Sequence, residues 1–517
     1  MRLIILLVLL TTVLTTTNNS ALSVDSPDWQ ELISTTRMLE LVDTLASDEY
    51  EGRFPNTLGD NLTQQFLNQA FEKLNATKLT GRDDFLQPFS LNPWVLNIAP
   101  TFLKIGDNNL SLDSEFVVLS YSGGCNETTD LVFAGYGVED EIYTDYHGIE
   151  VAGKVVVVVR GVPNGVDSAK GYFAVKAATA KKHGAVALLA VNHPTTVTDI
   201  LRKPTVGVDH YVEGFASLLV SRNSLESLGI PISTTIQEID SLHESQGSYN
   251  SELNGPLNIS VQLLVTNDYQ PTAQSANVVG MFPGIDTGTS NDHAFIISGH
   301  HDHLGVSAGG EIYNGADDDA SGVAVTLEVA QIIAELSNNY NFRHTVIFSL
   351  WGAEEVGLVG STYYTNNPLF PLDKTRFVIQ NDMVGTGSTD GFLRVAGGEY
   401  VGEWTSVVKE AAKAYGNITD FSTADGSSDH VPFLMSNVPA VMFFWDSVDQ
   451  HPDYHTTNDT VDKLNPEIMV KTVATILGIL LENQDLLIAS NHSSTSAPPL
   501  LVSTVVLVTI WLTRRRN

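Results

Sequence analysis

The chain is 517 residues long, with 27 Lys and Arg against 60 Asp and Glu, for a formal net charge of −33; that sign repels phosphates and argues against a nucleic-acid partner. That length is enough for two or three domains, and a hydrophobic content of 43% with 17% charged residues argues against disorder. The single cysteine, Cys125, leaves no intrachain disulfide and no zinc–thiolate site, so any metal must be held by His, Asp and Glu.

In chain order, Arg2, an apolar run over 3–10 and small polar residues after it read as a signal peptide over 1–21. The alternative, an uncleaved anchor, is short for a bilayer span. From residue 27 to about 90 the stretches STTRMLELVDTLASDEYEGR and NLTQQFLNQAFEKLN place apolar residues three and four apart, which predicts helices. The texture then changes. DLVFAGYG, GKVVVVVRG, GAVALLAVN and ASLLVS read as short strands around a helical YFAVKAATAKKHG. This predicts a β-rich insert over 126–267 within a larger domain of 27–125 and 268–485. Sequons at Asn61, Asn75, Asn109, Asn126, Asn258, Asn417, Asn458 and Asn491 are expected glycan sites in a secreted chain, though Asn, Ser and Thr are plentiful enough to produce sequons by chance.

From 294 to 485 strands and helices alternate: HAFIISG, ASGVAVTLEVAQIIAEL, HTVIFSLWG, GLVGSTYYTNN, RFVIQNDMVG, EWTSVVKEAAKAYG, AVMFFW and PEIMVKTVATILGILLEN. The pattern predicts an α/β domain with a mostly parallel central sheet flanked by helices, whose ligands bind beyond the carboxyl ends of the strands. Over 486–517 a polar stalk leads into apolar residues and three terminal arginines. That suits membrane attachment, either as a short span with a positive end or as a lipid-anchor signal. A cell-surface or extracellular location follows from the two termini together; oligomeric state stays open.

Acids and histidines fall at the predicted strand ends: His300 and Asp302, then Asp317, Asp318 and Asp319, then Glu354 and Glu355, then Asp382, then Tyr454 and His455. A cysteine-free zinc site draws on imidazole and carboxylate. A co-catalytic pair of ions needs one bridging carboxylate. Two His and two further acids complete such a pair, and one Glu remains over to act as a base.

Six motifs carry a resemblance: GHHDHLG, NGADDDASG, GAEEVGLVGS, NDMVG, SSDHVPF and YHTTNDT. In this order the chain resembles the di-zinc exopeptidase family of secreted leucine-aminopeptidase-like metallopeptidases, whose members include glutamate carboxypeptidase II. The likeness spans most of 36–480. It takes in the leader LASDEYEGRFPNTLG and, around FAGYG and GKVVVVVRG, a protease-associated insert. The resemblance implies the zinc exopeptidase fold, peptide substrates and two Zn2+ per chain. It places His300 and Asp382 on one ion, Glu355 and His455 on the other, and Asp318 on both. It implies Asp302 behind the imidazole of His300, Glu354 as general base and Tyr454 as a donor to the oxyanion. His301 and His303 are expected to be ordinary loop histidines, and Asp317, Asp319 and Asp429 have no assigned role. Few Lys or Arg fall near the predicted strand ends, which favours release of amino-terminal residues. A carboxypeptidase or dipeptidase on the same scaffold, or a receptor-like binding module, are the alternatives.

Overall fold

A computed structural model describes residues 29–489, apart from 80–81, 92–93, 120, 141–142, 196–198, 200, 202–210, 247–252, 271, 399–400, 403, 417–419, 423–427, 447–450 and 482–486. The expected signal peptide, the C-terminal apolar stretch, Asn417 and Asn491 lie outside the described residues. Among the described residues no helix is long and apolar enough to cross a membrane. The other six sequon asparagines are all exposed.

The larger unit is built on an eight-stranded sheet. Its strands are β1 (Leu86–Leu91), β2 (Ala273–Phe282), β3 (Ala294–His300), β4 (Thr345–Trp351), β5 (Thr375–Asn381), β6 (Leu393–Ala396), β7 (Asp420–Ser422) and β8 (Ala440–Trp445). They lie in the order β1-β2-β4-β3-β5-β8-β6-β7. The middle four, β4-β3-β5-β8, are mutually parallel. The expected parallel sheet is thus the core, with antiparallel pairings β1/β2, β2/β4 and β6/β8 at its margins. The run expected to be helical up to about residue 90 forms two helices, Thr35–Leu45 and Leu58–Lys73, and then ends in strand β1.

The parallel strands read as unbroken apolar runs because both faces are covered. Phe295 and Ile297 of β3 point into one core with Val346, Phe348 and Leu350 of β4. Helices Thr35–Leu45, Gly322–Leu336, Trp404–Tyr415 and Pro466–Leu481 close that core. Ala294, Ile296, Ile347 and Trp351 alternate to the opposite face, against Tyr364 of helix Val359–Asn366 and Phe433 of helix His430–Met435. The period-2 alternation of a strand therefore feeds two cores from one sequence run.

A second eight-stranded sheet lies in the insert. It draws strands from beyond both expected limits: Trp94–Ile105 pairs with Gly255–Gln270 along most of its length. Its centre, Cys125–Phe133, Val155–Val159, Ala187–Val191 and Ala216–Val220, is parallel. Helices Phe173–Lys182 and Ile232–Gln246 accompany these strands.

Candidate metal centre

All the chemistry singled out in the sequence converges at the carboxyl end of the four parallel strands. His300 is the last residue of β3, Asp382 follows β5, and Glu354 and Glu355 follow β4. His455 lies in the loop after β8, and Asp318 in a short turn, Ala316–Ser321, before helix Gly322–Leu336. The strand ends turn tightly. Ala353, Met383 and His455 take positive φ angles of 60°, 58° and 56°, a region that costs non-glycine residues energy and clusters at functional sites. Gly299 lets β3 approach that turn: a Cβ there would stand 2.9 Å from the backbone of Gly322 and 3.1 Å from Asp319 Oδ2.

Asp318 is the hub. Its Oδ1 lies 3.2 Å from His300 Nε2 and its Oδ2 3.0 Å from His455 Nε2. Asp382 Oδ1 is 3.8 Å from His300 Nε2, and Glu355 Oε2 is 3.2 Å from His455 Nε2. Each imidazole thus has one acid of its own and shares Asp318. Glu354 stands slightly back, its Oε2 4.0 Å from His300 Nε2. The ligand side chains are nearly sealed; Glu354 and Asp382 keep 11% and 13% exposure, so the centre opens to solvent on their side.

Two other residues bring donor atoms close, Asp319 beside His300 and Asp382, and His303 beside Asp318 and Glu355. Their hydrogen bonds set them apart. Asp319 Oδ2 accepts from the backbone N–H of His300 at 2.9 Å, and Oδ1 accepts from Gly322 at 3.0 Å and Met383 at 3.3 Å. His303 Nδ1 bonds Glu355 Oε1 at 2.8 Å, which leaves Oε2 facing His455. His303 is therefore a brace on Glu355, not the ordinary loop histidine expected. His301 points away, with Nε2 3.0 Å from the Ala276 carbonyl.

Asp302 also differs from expectation. Its carboxylate is 3.7 Å from His300 Nδ1, and the nearer partner of that nitrogen is the Asp302 carbonyl at 3.2 Å. The carboxylate instead accepts from the backbone N–H of Glu354 at 2.9 Å and of Glu355 at 3.1 Å, fixing the Glu–Glu pair. Asp459 and His451 were not read from the sequence, and Asp317 had no assigned role there. Asp459 accepts from the N–H groups of Asp317 and Asp318 at 2.8 and 3.1 Å. Asp317 bonds His451 Nδ1 at 2.8 Å and the N–H groups of Gly385 and Thr386 at 2.8 and 2.9 Å. Asp429 is hydrogen-bonded to Ser361 and Gln380 and lies close enough to Glu354 to act on it through its charge. The ring of Tyr454 stacks on His455 with centroids 3.8 Å apart.

The donor set fits a divalent cation. With its Nδ1 turned to the Asp302 carbonyl, a neutral His300 carries its proton there. Its bare Nε2 then faces the oxygens of Asp318 and Asp382, acceptor against acceptor. Ligand atoms about 2.1 Å from a tetrahedral zinc lie about 3.4 Å from one another, close to the 3.0–3.8 Å separations here. The alternative occupant is a proton. Burial opposes charge on His455, but Glu355 and Asp318 push its pKa up to about 10. On His300 burial is likewise outweighed, chiefly by Glu354 and Asp319, and its pKa rises well above the ordinary value. Asp318 is held well below the carboxylate range by the two imidazoles despite its burial. The cluster is thus built to hold positive charge at two points.

Residues 277–480 match peptidase family M28, and residues 116–228 match the PA domain. The 277–480 segment belongs to peptidase family M28. Aminopeptidase YwaD of Bacillus subtilis (strain 168) is 29% identical over 178 residues, 33% of this chain. The match spans 37% of that relative, so the chain covers little more than a third of its length. A probable leucine aminopeptidase 2 of Aspergillus oryzae is 24% identical over 83% of this chain and 80% of its own. A solved zinc aminopeptidase from Bacillus subtilis superposes with a TM-score of 0.64 at 19% identity, over 87% of this chain and 95% of that one. That likeness establishes the shared fold: an M28 α/β unit interrupted by a PA insert. The M28 segment contains all of His300, Asp318, Glu354, Glu355, Asp382 and His455.

Proposed function

We propose that this chain is a di-zinc aminopeptidase, secreted or held at the cell surface, that releases amino-terminal residues from peptides. The observation that carries the reading is the division of Asp318, with one oxygen toward His300 and the other toward His455, each imidazole having its own acid. His300, Asp382 and Asp318 would hold one Zn2+, and His455, Glu355 and Asp318 the other. When bound, the zinc pair would supply Lewis acidity toward the scissile carbonyl and lower the pKa of the attacking water.

The side chains supply the rest. Glu354 takes the proton of the attacking water and returns it to the leaving amine. In the metal-free cluster, burial and neighbouring Glu355, Asp429 and Asp382 raise its pKa well above a carboxylate's ordinary value, His300 opposing. Asp302 keeps Glu354 and Glu355 in place through their backbone amides. Tyr454 donates its hydroxyl to the oxygen on which charge develops. Without metal, burial and the Asp318, Glu355, Glu354 and Asp382 carboxylates raise the pKa of that phenol well above its ordinary value. Tyr454→Phe is expected to lower kcat by about 10- to 1000-fold with zinc content unchanged. An effect confined to KM assigns the ring to substrate packing instead.

The amino-terminal direction is supported by charge. Among the described residues the ion pairs of Asp318, Glu354, Glu355 and Asp382 run to histidines and none to a Lys or Arg. That suits a protonated amine and offers no guanidinium fork for a terminal carboxylate. The test pairs zinc analysis with modified peptides. Two zinc ions per chain are expected, with cleavage abolished by N-acetylation of the peptide and preserved by C-terminal amidation. The opposite peptide result favours a carboxypeptidase on the same centre. Failure to take up zinc at all favours the receptor-like alternative.

A further inference from the structure

Arg53 belongs to the leader motif, yet no step above uses it. It is 1% exposed, and its guanidinium spends four of its five N–H groups on backbone carbonyls. Nε donates to His301 at 3.0 Å, Nη1 to Leu45 and to Asn314 at 2.6 Å each, and Nη2 to Gly315 at 2.8 Å. Among the described residues it makes no ion pair. A buried cation without a carboxylate in contact is costly; the carboxylates of Asp459, Asp318, Asp302 and Asp319 offset part of that through space, and something further fixes the side chain in this place.

The four carbonyls say what that is. His301 follows the ligand His300 directly, and Asn314 and Gly315 precede the turn that carries Asp318. Both segments lie in the connection between β3 and helix Gly322–Leu336, and this guanidinium ties their backbones together beside the bond from the His300 N–H to Asp319 Oδ2. The far side of the same turn is held by Asp459, which accepts from the N–H groups of Asp317 and Asp318. Carbonyls on a cation and amides on an anion thus fix the 314–318 backbone from both ends. Arg53 enters from a left-handed turn in which Glu51, Gly52 and Arg53 all have positive φ. A Cβ on Gly52 would collide with the carbonyl oxygens of Tyr313 and Gly305, so the leader lies directly on the 305–313 loop. Its own carbonyl accepts from the N–H of His303 at 3.4 Å.

We propose that Arg53 is a positioning residue for the metal centre, one planar fork that sets the distance between the His300 segment and the Asp318 turn. The proposal rests on the di-zinc reading. Lysine cannot replace it: three donors on a single point cannot span four carbonyls arranged around a plane.

The test uses the full chain with Arg53→Lys and Arg53→Met. Zinc affinity is measured by competition with a chromogenic chelator, together with the Tm of the zinc-stripped protein and kcat and KM on an aminoacyl substrate. Both variants are expected to bind zinc 10- to 100-fold more weakly, with kcat lowered at full zinc loading and KM near wild type. Lys is expected to rescue neither measure. Wild-type zinc affinity in the folded fraction of either variant, whatever its Tm, overturns the proposal, and so does failure of both variants to fold, which makes Arg53 a stability residue. A wild-type chain that takes up no zinc removes the di-zinc reading and this proposal with it. A wild type that binds zinc beside variants that bind it equally removes this proposal alone.

Discussion

Glu354→Gln is expected to keep both zinc ions and lose about 100-fold or more in kcat. Glutamine preserves the length and the hydrogen-bonding oxygen of the side chain but cannot take a proton from water. The carboxylate of Glu354 stands 4.0 Å from His300 Nε2, against 3.2 Å for Asp318 and 3.8 Å for Asp382, and in the proposed reading the substitution removes a base and not a ligand. Its backbone N–H remains on Asp302 Oδ1, so the neighbouring Glu355 keeps its place. The measurement is kcat alongside zinc analysis of the same preparation. Near-wild-type kcat at full zinc would show that another group is the base; loss of zinc in parallel with activity would show that Glu354 is a ligand.

Asp318→Asn is expected to be the most damaging single change to metal binding. An amide offers one oxygen and no charge, whereas the structure uses both carboxylate oxygens, one against each imidazole. Whichever way the amide turns, one histidine faces an NH2 group. At least one ion should leave or bind far more weakly. The loss of several kcal/mol of Lewis-acid stabilisation predicts a fall in turnover of about 1000-fold or more, at about 1.4 kcal/mol per factor of ten. The Asp319→Asn variant is the control. Asp319 spends its oxygens on backbone N–H groups, so zinc should survive there better than in Asp318→Asn. Equal zinc loss in the two variants, or retention of two tight ions in Asp318→Asn, would remove Asp318 from the bridging position.

The three consecutive aspartates show where reading the chain stops. Composition and spacing treat Asp317, Asp318 and Asp319 alike, and the family likeness alone points to the middle one. In the folded turn they go three ways: Asp317 to His451 and the 385–386 amides, Asp318 to two imidazoles, Asp319 back onto the backbone of His300, Gly322 and Met383. Their partners lie up to 142 residues away, and no local pattern encodes a destination at that range. The same holds for His303 against Glu355 and for Arg53 against four carbonyls. The insert's first strand was missed for a related reason: its pairing partner, Gly255–Gln270, follows more than 150 residues later, so its place in that sheet depends on a register that no window of sequence contains.

What the sequence determined by itself was everything that depends on near neighbours. Apolar runs of strand length and apolar spacings of helical length are local, because each residue's side chain takes its direction from the backbone around it. They were enough to order β3, β4, β5 and β8 with their helices, and to place His300, Glu354, Glu355 and Asp382 at strand ends. The tertiary structure decided which ends become neighbours, which of the three aspartates faces both histidines, and which histidine braces Glu355. Those outcomes depend on parallel strands aligning their carboxyl edges, and on buried donors and acceptors finding partners across the chain.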